Sequence, residues 1–411
     1  MLPVSELIAV ALGRSEASAL GARAPARFAQ VARNAPVVIW NVCMHCNMRC
    51  PHCYAAAIAV PSPTDLSPAE GIDLLDQLAA AGVRVVIFSG GEPLLRGDLF
   101  DLLAHAKRVG ISPQLSTNGV LIDERIATRL AEVGVAYVGV SIDGIERFND
   151  AYRGMRGGFE AALRGLRNAK GAGMKTGLRM TLTRRNLDQL DAMLGVARSA
   201  RVDRFYLSHL VYSGRGYKVA SDDLTRAQLR AALSWLFERA EALLDVEPAL
   251  RIVTGSNDSD GVFLLRWIRG RHGDASAADV RELLLQRGGN SAGERILNID
   301  SRGRVHPDQF WRAALLGDIR KQPFAEILRH PLRDQLARRL DYLEGRCGRC
   351  AERAICRGSH RERALAFFRN AWASDPACAM EDEEIGVGRP AASEDAKRRA
   401  AQPAAEEVRA R

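Results

Sequence analysis

Cys46, Cys50 and Cys53 stand in the run Cys46-Asn47-Met48-Arg49-Cys50-Pro51-His52-Cys53, three thiols in one short loop. A single tetrahedral metal takes four ligands, commonly as two pairs. Three thiolates at CxxxCxxC spacing instead suit three irons of a [4Fe-4S] cube and leave the fourth iron open to another molecule. Cys43 offers the rival arrangement, because Cys43-x2-Cys46 and Cys50-x2-Cys53 together can make a four-thiolate zinc site. The residues downstream speak against zinc. The mostly apolar, β-branched run 83–89 closes on Gly90-Gly91-Glu92-Pro93, and two later runs close on Ser116-Thr117-Asn118-Gly119 and Ser141-Ile142-Asp143-Gly144. Buried strands that end in glycine and polar groups present those groups to a ligand, and a structural zinc knuckle has no use for three such ends.

These side chains need a frame. Runs 37–42, 83–89, 113–117, 137–142, 176–182 and 205–211 are apolar or β-branched and bounded by turn residues, which predicts strands. Between them, 68–81, 99–108, 123–133, 159–172 and 187–200 place Leu, Ile and Ala at helical spacing, several closing on glycine as a C-cap does. Six β/α units imply an α/β fold, a parallel sheet with right-handed crossovers curled into a partial barrel. Such folds carry chemistry at the C-terminal ends of their strands, where the cysteine loop and all three polar ends fall. The same reading expects an N-terminal extension over 1–35, the barrel core over 36–245 and a bridge over 246–335 broken by Gly, Ser, Asn and Asp. A cysteine-bearing domain is expected over 336–380 and a disordered tail over 381–411, which is charged and poor in large apolar groups.

A chain of 411 residues, 47% hydrophobic and 26% charged, can bury one large core and a smaller domain. No apolar run approaches the roughly 20 residues that span a bilayer. The short patch 7–12 follows Glu6 and lacks the basic segment of a signal peptide, so the expected location is the cytoplasm, with no membrane partner. Eight cysteines in two groups of four suit metal ligation in a reducing compartment better than disulfides. The net charge of +9 comes without the aromatic-interleaved basic stretch of a single-strand binder, so nucleic acid is not implied. A small molecule rich in carboxylates is the more economical partner for a basic cleft.

The CxxxCxxC loop followed by GGEP resembles that of the radical S-adenosylmethionine (SAM) enzymes. The resemblance implies that Cys46, Cys50 and Cys53 ligate a [4Fe-4S] cluster whose fourth iron is chelated by exchangeable SAM, and that the reduced cluster yields a 5'-deoxyadenosyl radical. It implies that Gly90 and Gly91 permit close backbone approach and that Glu92 and its neighbours face SAM's amino group. Ser116, Asn118, Ser141 and Asp143 become candidates for its ribose or methionine, although turn and capping roles are as common for these types. Arg179, inside an apolar strand, can pair with SAM's carboxylate or make a structural ion pair. Cys43 is then a buried strand-end thiol.

The second group, Cys347-x2-Cys350-x5-Cys356 with Cys378, resembles the auxiliary-cluster region of the SPASM/Twitch branch of the family. By itself it would read as zinc; attached to a radical SAM core it implies an auxiliary [4Fe-4S] cluster in a C-terminal domain. His360 stands where the fuller pattern has another cysteine, and reads either as a replacement ligand or, in so basic a segment, as a solvated surface histidine. Residues 38–41, 207–216, 254–258 and 306–311 resemble NirJ, the radical SAM group of haem d1 biosynthesis. That implies an iron tetrapyrrole substrate, 12,18-didecarboxysirohaem, which loses two propionates, and a low-potential electron donor of flavodoxin or ferredoxin type. It further implies arginines such as Arg215 that anchor carboxylates. His209 and Tyr212 follow the sixth strand and can face the substrate, a hydrogen-bonded core role being equally open to His209. Other haem-pathway side-chain lyases and SPASM peptide-maturing enzymes share the same cysteines and stand as alternatives.

Overall fold

The computed structural model describes residues 1–14, 35–246 and 248–388. After a two-residue strand β1 (Leu2–Pro3), six parallel strands form the centre of the sheet: β2 (Val37–Asn41), β3 (Val85–Ser89), β4 (Ser112–Thr117), β5 (Tyr137–Ser141), β6 (Lys175–Leu182) and β7 (Arg204–His209). Helices Pro68–Ala80, Leu99–Arg108, Glu124–Glu132, Gly158–Gly171 and Leu190–Ser199 make the crossovers. The expected α/β units are thus present, their ends moved by a few residues. The first crossover helix shows why such starts are readable. Pro68 opens it, and Ser67 and Glu70 close a capping box, with Ser67 Oγ accepting from Glu70 N at 3.3 Å and Glu70 Oε2 accepting from Ser67 N at 2.8 Å.

Alternation along each strand separates two faces. Val38 and Trp40, Val86 and Phe88, Val138 and Val140, Leu178 and Met180, Phe205 and Leu207 are fully buried on the helix-covered side. The other side carries Asn41, Ser89, Ser116, Ser141, Arg179 and Tyr206. A parallel sheet buried on both faces reads apolar throughout, so a polar inner face marks a surface kept for a ligand. Small residues make room there. A Cβ on Gly139 would lie 2.4 Å from Arg179 Nε, and one on Gly177 would lie 1.9 Å from the Tyr137 hydroxyl.

Residues 246–335 are not a bridge. They supply β8 (Arg251–Gly255), parallel to β7, and β9 (Ile296–Ile299), parallel to β2, followed by the antiparallel β10 (Arg304–His306) and β11 (Gly317–Asp318). Among the described residues the sheet therefore has eleven strands, in the order β1-β8-β7-β6-β5-β4-β3-β2-β9-β10-β11. The segment looks irregular because its strands are short and its long helix, Ser259–Arg287, loses its period where Gly273 takes a φ of +84°. The N-terminal extension is corrected in the same way: Leu2 pairs with Thr254, and the helix Val4–Ala11 buries Val4, Leu7 and Ile8. Residues 15–34 lie outside the described residues. At the other end Ile385 and Val387 are buried, so packed structure runs past Met380; of the expected tail, 389–411 lie outside the described residues. Among the described residues no helix is long and apolar enough to cross a membrane.

Candidate active site

The cysteine loop leaves the end of β2, and its backbone is held from several directions. From the end of β3, Gly91 N donates to Cys43 O at 2.8 Å and Glu92 N to His45 O at 2.7 Å. A Cβ on Gly91 would lie 2.1 Å from His45 O, and one on Gly90, at a φ of +140°, 2.5 Å from Cys43 O. The close approach that these glycines permit is to the cysteine loop itself. On other sides, Cys46 N donates to Ile58 O at 2.8 Å and Arg49 N to Arg153 O at 3.0 Å.

The turn after β7 closes over the same loop. Arg215 donates from its backbone to Cys53 O at 2.9 Å, from Nε to Cys50 O at 2.9 Å and from Nη1 to Ala57 O at 2.7 Å. Nε and Nη1 of Arg215 are thus spent on main-chain carbonyls, which satisfy a guanidinium as carboxylates do, and not on a substrate carboxylate. Outer-shell partners of metal ligands are worth roughly 10–100-fold in metal affinity. Arg215→Ala is therefore expected to speed iron loss to a chelator by about that factor, with Arg215→Lys intermediate because an ammonium lacks the fork. An unchanged rate in Arg215→Ala removes this role.

Cys50 is buried and Cys46 and Cys53 are half-buried. Burial pushes the Cys46 thiol up to about 11, with the neighbouring Glu92, Cys50 and Cys53 adding to it, and burial raises Cys50 as well. These thiols hold their protons in water and release them to a metal that binds them as thiolates. Cys43 differs: its thiol donates toward Glu92 O at 3.4 Å, and burial pushes it up to about 12.

The polar strand ends divide into two sets. Glu92 is fully buried, its carboxyl accepting from Thr117 Oγ1 at 2.6 Å, Asn118 N at 2.7 Å and Leu94 N at 3.2 Å. Asp143 is also enclosed; it accepts from Thr181 N at 2.8 Å and Arg153 Nη1 at 2.6 Å and stands 3.2 Å from His52 Nε2. Both carboxyls are bonded within the protein and brace the site. Ser116, Ser141 and Arg179 are partly exposed on the inner face, Arg179 donating to Ser116 Oγ at 2.6 Å and lying over the rings of Tyr137 and Tyr206 at 5.7 and 5.9 Å. Asn118 donates to Asn47 Oδ1 at 2.7 Å and so ties the end of β4 to the cysteine loop. His209 bonds to buried Asp260 at 2.7 Å and Tyr212 donates to Asp223 at 2.7 Å, so both are spent within the core. His52, stacked on Tyr152 at 5.1 Å, and Arg153 were missed; the position of His52 between Cys50 and Cys53 was the available signal.

The second cysteine group gathers around one small cavity, lined by Cys347, Cys350, Cys356 and Cys378 with Val262 and Met380 among its walls. Burial raises Cys347 and Cys356 and pushes Cys350 up to about 11. Among the described residues no three His, Cys, Asp or Glu side chains form a site for a single metal ion. His360 is not among the cavity's walls and, at 3% exposed, is not a solvated surface residue.

The profile of the Radical SAM superfamily matches residues 40–197, the span that holds the cysteine loop and the polar ends of β3 to β5. The chain is 43% identical over 355 residues to the pre-heme d1 synthase of Dinoroseobacter shibae, covering 86% of this chain and 88% of that one. This chain belongs to the radical SAM superfamily. A second relative, the Fe-coproporphyrin III synthase of Methanosarcina barkeri, is 42% identical over 357 residues, with 85% of this chain and 89% of that one covered. Among solved structures, native anSMEcpe with bound AdoMet shares the fold at a TM-score of 0.65 and 18% identity, over 89% of this chain and 98% of that one. Radical SAM enzymes carry a [4Fe-4S] cluster and SAM, and the residue types present fit that pair: three thiols on one braced loop, near enough to raise one another's pKa, at the end of a polar inner sheet surface with a fixed arginine.

Proposed function

We propose that this radical SAM enzyme acts on an iron tetrapyrrole and removes propionate arms from 12,18-didecarboxysirohaem on the way to haem d1. The observation that carries the reading is the 43% identity, over most of both chains, to the protein named pre-heme d1 synthase. Cys46, Cys50 and Cys53 hold the catalytic cluster in this reading. Gly90, Gly91 and the backbone at Glu92, with Ser116, Asn118, Ser141 and Arg179, form the bed for SAM, Asp143 bracing it from behind. Bound there, the cluster and SAM supply a 5'-deoxyadenosyl radical. The chain's own share is orientation and containment. Arg179, held by Ser116 and two tyrosine rings, offers a fixed cation for a carboxylate, and its geometry is set before any ligand arrives.

Cys347, Cys350, Cys356 and Cys378 hold an auxiliary [4Fe-4S] cluster in the same reading, supported by their sharing one cavity. Anaerobically reconstituted protein is then expected to bind about eight irons, the sum of two cubes, and Cys356→Ala about four. Stoichiometric zinc that persists through reconstitution overturns the auxiliary cluster. A flavodoxin- or ferredoxin-type donor supplies the electron.

The reaction is tested by anaerobic incubation with didecarboxysirohaem, SAM and reductant. A tetrapyrrole lighter by its propionates, with 5'-deoxyadenosine, is the expected result. A second reading has its own observation: the 42% identity to a protein named Fe-coproporphyrin III synthase favours another haem-pathway side-chain lyase. Loss of acetates in place of propionates would decide for it. If the tetrapyrrole is neither bound nor changed while a peptide is modified, both readings give way to peptide maturation.

A further inference from the structure

The cavity that gathers Cys347, Cys350, Cys356 and Cys378 has apolar walls in Val262, Met380 and Ile385. Ser259, also in the wall, is spent: its hydroxyl donates to Asn257 Oδ1 at 2.9 Å and accepts from Ala379 N at 3.1 Å. Among the described residues that line the cavity, Arg346 is the only cation. It is 8% exposed, and its fork is held from behind, Nε donating to Asp382 Oδ1 and Nη2 to Met380 O. Burial would lower its pKa, but Cys378 first and Asp382 next raise it above its ordinary value. A buried guanidinium is costly unless anions face it.

A second cation stands close by. Arg361 is 1% exposed, donates to Ala371 O at 2.8 Å, to Ala373 O at 2.7 Å and to Gly358 O, and makes no ion pair among the described residues. Burial raises the Cys347 thiol, and the charge of Arg361 opposes that rise. Main-chain groups act in the same sense. Glu352 N donates to Cys350 Sγ at 3.3 Å, and the amides of Asp375 and Gly358 favour the thiolates of Cys347 and Cys356. A thiol is a weak acceptor, so cations and N–H donors gathered around four sulfurs are arranged for anions.

The charge count says what that arrangement permits. A four-iron cube with four thiolate ligands is a dianion, and one added electron makes it a trianion. In an apolar cavity the last charge is strongly disfavoured unless fixed cations offset it, and charges and hydrogen bonds near the sulfurs tune the potential of such a centre. Substitution cannot remove the amides, but it can remove the guanidinium in the wall.

We infer that Arg346, seated beside Cys378, makes the auxiliary centre reducible and sets its potential, with Asp382 moderating the guanidinium's charge. The inference rests on the reading of this cavity as an auxiliary [4Fe-4S] site. The step is the passage of one electron from the low-potential donor to the cube; no proton moves and no bond forms or breaks.

The test is a redox titration of full-length, anaerobically reconstituted protein, with dithionite as reductant and paramagnetic resonance as readout. The auxiliary signal is the one that SAM leaves unchanged, since SAM binds the catalytic cube. Arg346→Met is expected to shift the auxiliary one-electron equilibrium about tenfold against reduction, a midpoint lower by about 59 mV, with the SAM-sensitive midpoint unmoved. Asp382→Asn, which removes an anion beside the guanidinium, is expected to raise the same midpoint, a change of sign that a merely structural role does not give. An unmoved auxiliary midpoint in Arg346→Met overturns the inference and leaves the cluster standing, as do about eight irons in wild type without a SAM-insensitive signal. Should Arg346→Met not assemble the second cube, Asp382→Asn decides, and an unmoved or lowered midpoint overturns the inference. Zinc in this site of the wild-type protein overturns the auxiliary cluster, and the inference with it.

Discussion

Cys46→Ala should bring 5'-deoxyadenosine release under dithionite down to the protein-free level and lower the iron content by about four atoms per chain, one cube. Two thiolates cannot hold three irons, and nothing within the loop substitutes for the third, since Cys43 turns its thiol toward Glu92 O at 3.4 Å. Cys43→Ala, in contrast, removes only weak thiol bonds, to His45 O at 3.6 Å and Glu92 O at 3.4 Å, and should keep most of both quantities. The informative comparison is between the two variants. Equal losses would mean that Cys43 is a ligand and that the four-thiolate arrangement of the loop is the true one.

Arg363→Met should destabilise the fold by about 3–5 kcal/mol, because it leaves Asp375 buried, charged and unpaired. Arg363 is fully buried; besides its two bonds to Asp375 it donates to Leu210 O at 3.1 Å and Ser256 O at 2.6 Å, the strand-end turns after β7 and β8. The variant should thus unfold at lower urea. The acid limb follows from the carboxyl. Burial alone would raise Asp375, but the charge and hydrogen bonds of Arg363 overcome it and hold the group well below the usual carboxylate range. A depressed folded-state pKa gives stability that is fully present above the unfolded value of about 4 and fades as pH falls through the folded value. The gap between wild type and Arg363→Met should therefore narrow in acid. A gap that is small at pH 7, or independent of pH, would show the pair to be worth little.

The strands and the polar ends that bear the cysteine loop were legible because each depends on a local pattern: β-branched runs, a capping box at Ser67, glycines at strand ends. What escaped depends on pairing at a distance. Ile296–Ile299 is too short to announce a strand, and only its register against β2 makes it one. Leu2 and Pro3 gain their meaning from Val253 and Thr254. For the site, side-chain chemistry was readable and its object was not. Arg215 was recognised as an anion-seeking fork, yet a fork binds carbonyl oxygens as readily, and nothing in the sequence says that Cys50 O and Ala57 O stand before it. The solvated reading of His360 rested on the arginines around it, but Arg361 and Arg363 are themselves buried and bonded, so local charge was a poor guide to exposure.

The clasp on the catalytic loop also carries a timetable. Arg215 reaches Cys50 O across 165 residues of chain, and Arg312 donates to Ala55 O across 257. During synthesis the three thiols leave the ribosome long before the residues that brace them exist, and contacts of such sequence separation form late because their loops are costly to close. A nascent chain that ends between β4 and β7 would display an unsupported thiol trio, open to oxidation and to adventitious metals. Iron delivery is therefore expected to follow completion of the polypeptide, and chains stalled before residue 215 should accept a cluster poorly even when all three ligands are present.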